Sequence, residues 1–237
     1  MLKQKLLVLG LMAALSTTAM GFSLDSVVKG AAIADTVCQY AGKKIDEKGL
    51  VTIQKNLQSS VKKVNADYAD ANVLITKAVG LKEEAAAARA HADLMKKGNI
   101  DADKLEKMKT IGDDCAKAVE AKLKEADKLS ADQKAKIMES LSKYGDAAVG
   151  MVGVTGKTIL AAGAVVCVAG SNPMNAMKIK DKFEFVTDAA SELPGFAKQL
   201  IVTGFSYAKL LKRFDIDTTA FVNKLKKAQS SLSKAEK

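Results

Sequence analysis

Apolar residues in this chain recur at intervals of three and four over long stretches. Leu24, Val27, Ala31, Ala34, Cys38 and Ala41 do so ahead of Gly42, with Ser23 or Asp25 placed as N-cap, and predict a helix over 24–41. From Leu50 the alternation tightens. Leu57, Val61, Val64, Tyr68, Ala71, Ile75 and Ala78 form a heptad seam that needs a partner helix. Gly80 is placed to bend this helix, which resumes through LKEEAAAARAHADLMKK and stops at Gly98-Asn99.

Asp101 caps a third segment with the seam Leu105, Met108, Gly112, Cys115, Val119, Ala126 and Leu129. The short link before it predicts a long helical hairpin over 50–129. Ser130 to Gln133 reads as a capping box that opens a fourth helix. Its seam runs Ile137, Leu141, Tyr144, Ala148, Val152, Thr155, Ile159, Ala162 and Val166, and Gly170-Ser171-Asn172-Pro173 breaks it. Shorter helices follow at about 175–192, at 196–214 after Pro194-Gly195, and at 218–233 behind the Asp217 cap. The expected class is therefore all-α: an elongated antiparallel bundle of long heptad-patterned helices over 22–172, with a smaller C-terminal helical subdomain over 173–237.

The first 21 residues read differently. Lys3 and Lys5 form a basic start, Leu6 to Leu15 an apolar stretch, and Ala19-Met20-Gly21 a small-x-small cleavage site. The apolar run is shorter than the roughly 20 residues that span a bilayer, so a cleaved secretory signal is expected rather than an anchor. That places the mature protein in the periplasm or outside the cell. The first cysteine is Cys38, so the cut leaves no Cys at the new N-terminus for a lipid anchor.

Composition agrees with helices: no Trp, 2 Pro and 5% aromatic residues leave little for a sandwich or barrel. The net charge is +10; without Lys3 and Lys5, 35 basic residues face 27 acidic ones and +8 remains. A basic surface suits polyanions, yet no block of five like charges occurs and the lysines alternate with acids, as on solvated helix faces. KLLKR at 209–213 is the densest cluster, and nucleic acid is not an expected partner.

Candidate chemistry is sparse. The single histidine, His91, lies among alanines and charges, where an exposed and inert imidazole is expected, with no Cys or His at metal-ligand spacing. Gly156-Lys157-Thr158 resembles the end of a phosphate loop, but Met151 occupies the position where that loop needs its first Gly. No catalytic group, cofactor, metal or small-molecule substrate is therefore assigned. Cys38, Cys115 and Cys167 are an odd set on or beside apolar seams, and each is a candidate for a disulfide or a buried thiol. A Cys38–Cys115 bridge would need the helix break at Gly80, and spacing decides nothing about Cys38 with Cys167.

Residues 147–170 stand out, being 24 residues with one charge, Lys157. They are long enough to cross a bilayer, although a mid-segment Lys costs about 2.5–3.5 kcal/mol there and five glycines weaken insertion further. Gly150 and Gly153 lie in this segment, and Gly156, Gly163 and Gly170 recur every seven residues and invite close packing. Two readings follow. The first is an exported, non-catalytic interaction or structural protein that binds a protein partner or itself through helix faces. The alternative is a membrane-active or lipid-binding protein using 147–170. An enzyme whose carboxylates or serines form no recognisable motif is the third.

The signal reading makes a direct prediction: exported protein begins at or near Phe22. N-terminal sequencing or intact mass checks it, and recovery of Met1 on exported protein would refute it.

Overall fold

The computed structural model describes residues 45–97, 100–171, 174 and 176–235. The expected signal peptide, the helix over 24–41, Cys38 and the Gly98-Asn99 link lie outside them. The described residues contain seven α-helices and no strand, which places the chain in the all-α class. The helices are α1 Glu47–Ala78, α2 Lys82–Lys96, α3 Ala102–Glu125, α4 Ala131–Ser171, α5 Ala176–Lys182, α6 Glu184–Leu211 and α7 Thr219–Ala235, with a 3₁₀ turn Lys212–Phe214 between the last two.

Local chemistry sets most boundaries. Gly80 adopts φ 84° and the Leu81 amide donates to Thr76 O at 2.8 Å, a Schellman-type end that separates α1 from α2. Asp101 accepts from the Lys104 amide at 2.9 Å and caps α3. Ser130 and Gln133 form the reciprocal capping box, with the Ser130 amide 2.9 Å from Gln133 Oε1 and the Gln133 amide 3.2 Å from Ser130 Oγ. Asp217 accepts from the Thr219 amide at the start of α7.

Two boundaries differ from expectation. α3 ends at Glu125 because Ala126 turns extended to reach the capping box, leaving Ala126 and Leu129 half-buried beside Val79 and Gln133. Pro194 does not break the chain but lies inside α6. An interior Pro costs about 3 kcal/mol, and the burial of Leu193 before it and of Phe196 and Ala197 after it offsets that cost. The break falls instead at Phe183, whose fully buried side chain packs with Ile179 and Val186.

The described residues form two compact units. One comprises 45–57, 152–194 and 230–235; the other comprises 58–151 and 195–229. The residues after 173 therefore divide between both units. In the first, Leu50 and Leu57 of α1, Ala161, Ala164, Val165 and Val168 of α4, and Ile179, Phe183 and Val186 form one core. Lys182 is paired with Glu47 at its surface.

In the second, every α1 seam position from Val61 to Ala78 is buried. Ser140 Oγ donates to Ala71 O at 2.8 Å and Gln133 Nε2 to Ala78 O at 2.8 Å, tying α4 to α1. Tyr144 sits at the centre of an edge-to-face cluster, 5.5 Å from Tyr68, 5.8 Å from Tyr207 and 5.9 Å from Phe221, while Tyr68 also meets Phe196 at 5.5 Å.

Tyr68 fits because Gly112 has no side chain: a Cβ there would stand 2.2 Å from Tyr68 Oη. Gly112→Ala is expected to destabilise the protein by about 1–3 kcal/mol through overpacking. Chemical denaturation measures it, and an unchanged midpoint would show that the ring can move aside.

Candidate functional site

Two places gather the residues singled out above. The first is the C-terminal half of α4. Gly153, Gly156, Gly163, Cys167 and Gly170 are spaced by three, seven, four and three, which puts them on one helix face. A Cβ at Gly153, Gly156 or Gly170 would meet nothing within 4 Å. Lys157 is half-buried, its neighbours Thr158 and Ile159 fully so. Gly150 belongs elsewhere: its missing Cβ admits Val64, whose Cγ2 would otherwise be 2.8 Å away.

The other residues of the same turns fill the first unit's core, and Cys167 belongs to that core as well. Val166, expected on the seam, is 50% exposed, and Ala161, Val165, Val168 and Ala169 are buried instead. The partners Leu50, Leu57, Phe183 and Val186 pack against those residues, so the expected seam is buried through Ile159 and Ala162 and departs at Val166.

The cysteines separate in kind. Cys115 is a free thiol, 1% exposed, with Sγ 3.8 Å from Glu84 O. Burial, reinforced by Glu84 and Asp114, pushes its pKa up to about 11, so it is protonated and unreactive at neutral pH. Cys167 is buried and disulfide-bonded.

The second place is a small cavity lined by Tyr68, Asn72, Ala88, His91, Met108 and Gly112. His91 is 4% exposed, not on the surface. The physical reason is the alanine content of α2: Ala85, Ala88 and Ala92 let the helix approach closely, so its small-residue face is the buried one and His91 lies on it. His91 Nε2 and Asn72 Oδ1 have no protein hydrogen-bond partner, and burial lowers the His91 pKa and holds the ring neutral.

Burial also raises the Tyr68, Tyr144 and Tyr207 pKa values, so all three phenols stay neutral. Around His91 stand a neutral phenol, an amide and apolar groups, with no charged side chain lining the cavity. No nucleophile faces a base there. Among the described residues, no group of three or more His, Cys, Asp or Glu could hold a metal.

Apolar periodicity picked out Tyr68 and missed the polar residues beside it. Asn65, Tyr68, Asn72 and Thr76 of α1 are buried at spacings of three, four and four, and that spacing on an apolar face was a usable signal.

His91 generates a pH prediction. Its folded pKa lies below the ordinary 6.5, so the unfolded chain binds the proton more readily. The stability is whole above pH 6.5 and is lost as pH falls from there towards the lower folded pKa. Thermal melts of His91→Gln should show a flatter acid limb than wild type in that window, and parallel curves would refute the assignment.

No known family model, characterised protein or solved structure matches this chain.

Proposed function

We propose that this is an exported, non-catalytic helical protein that binds a protein partner or a second copy of itself through helix faces. The observation that carries this reading is apolar surface left open beside a filled core. In the first unit Val166 is 50%, Met174 94% and Met177 78% exposed, at the end of α4 and the turn into α5. Uncovered methionines next to a completed core fit an adaptable contact surface.

The architecture proposed with it is an antiparallel bundle. In the second unit the pairs Ala71 with Ser140 and Ala78 with Gln133 run in opposite senses along α1 and α4. So do Glu84 with Cys115 and His91 with Met108 along α2 and α3. The sustained three-four spacing supports heptad packing. The disulfide on Cys167 supports export, because such bonds persist in oxidising compartments.

The membrane reading draws on α4, which is long and apolar enough to cross a bilayer, and on Lys178 and Lys180 beside Met177. Against it, 67% of the most apolar stretch of α4 is already buried inside the protein. Covered by neighbours, that stretch gains little from lipid.

Two measurements separate the readings. Sedimentation of the mature protein should show association that Met174→Ser with Met177→Ser weakens at unchanged melting temperature. Purified wild type and Lys157→Leu should both leave neutral vesicles intact, although the substitution removes about 2.5–3.5 kcal/mol of insertion cost. Salt-resistant dye release by wild type, or a large rise with Lys157→Leu, would overturn the interaction reading in favour of insertion.

A further inference from the structure

We propose that the cavity between α1, α2 and α3 is a binding site for one water molecule, which joins His91 Nε2 of α2 to Asn72 Oδ1 of α1. Both residues line the cavity, at 4% and 2% exposure, and neither atom has a hydrogen-bond partner in the protein. The two atoms therefore do not bond each other, although their side chains border the same space. Left dry at that depth, each would carry the full desolvation penalty of a polar group.

The free oxygen on Asn72 follows from its other contact. The side chain is hydrogen-bonded to Tyr68, and with Oδ1 unpaired that bond runs from Nδ2 to the phenol oxygen. Oδ1 is left for the cavity. Gln54 and Asn65 also carry unpaired buried atoms, but neither residue lines this cavity.

Size and chemistry select the ligand. The cavity volume is about 10 Å³, room for a single water and for no organic molecule. Oδ1 needs a donor, and Nε2 needs a donor or an acceptor according to which ring nitrogen carries the hydrogen. Water supplies either. An ion of either sign would meet no charged side chain in the lining and an apolar wall of Ala69, Ala88, Met108 and Ile111. Among the described residues of α2, those buried are Ala85, Ala88, His91 and Ala92, so the water gives this alanine-faced helix a polar tie to α1.

Oxygen-17 relaxation dispersion of water around the purified full chain counts its long-lived internal waters. Asn72→Leu and His91→Phe should each lower that count by one against wild type, and the double variant by one rather than two. Because Asn72 also holds Tyr68, a second measurement starts from wild type alone: nuclear Overhauser transfer from water to the methyl group of Met108, a residue 1% exposed and out of reach of bulk solvent. That transfer should be present in wild type and lost in His91→Phe, which keeps the Tyr68 hydroxyl. An unchanged count in either folded single variant, a loss of two waters in the double variant, no transfer in wild type, or its persistence in His91→Phe would each overturn the proposal.

Discussion

A 41-residue helix whose C-terminal half carries one charge must be covered, and that requirement organises what packs around α4. Along 131–151 the cover comes from α1, α6 and α7, through side chains that alternate large and absent. Val64 enters at Gly150, and Phe221 comes close at Gly145. Along 152–171 it comes mostly from short side chains: Ala161, Ala162, Ala164, Ala169, Val165, Val168 and Cys167 are buried in one core with Leu50, Leu57, Phe183 and Val186. Burying apolar surface at roughly 25 cal/mol per Å² drives both halves.

The second unit accepts a cost the first avoids. It places a phenol, an amide and an imidazole between α1, α2 and α3, where an unpaired buried polar group costs about 1–3 kcal/mol. Neutrality limits that cost, since burial moves each titratable group there towards its uncharged form. The same effect silences chemistry, because a neutral imidazole without a charged orienting group and a protonated Cys115 make a poor nucleophile and base pair. The layer is best understood as the reason α1, α2 and α3 meet in one arrangement, since sliding α2 by a turn would separate His91 from Asn72, and sliding α3 would take the notch at Gly112 away from Tyr68.

The helices were largely legible because their signals are local. The α1 seam from Leu57 to Ala78, the caps at Asp101 and Ser130 and the turn at Gly80 each depend on residues within a few positions. What failed depends on neighbours far away in sequence. Pro194 reads as a stop until the buried residues on both sides are known, and Val166 reads as core until Phe183 and Val186 show which side of α4 they cover. His91 reads as surface because alanines carry little hydrophobic signal, although their small size is what lets a helix pack closely. The site residues were legible as a set of glycines and cysteines, but not their division into one inert thiol and one bonded sulfur, which only burial and distance decide.

α4 thus has two faces with different requirements. Where side chains meet side chains, the partners are fixed by volume, as in the core that Phe183 and Val186 share with α4. Where glycines line the surface, no side chain from α4 reaches out, so whatever lies there must come in by its backbone and contribute its own small residues. A contact of that kind buries little area per residue and is weak alone.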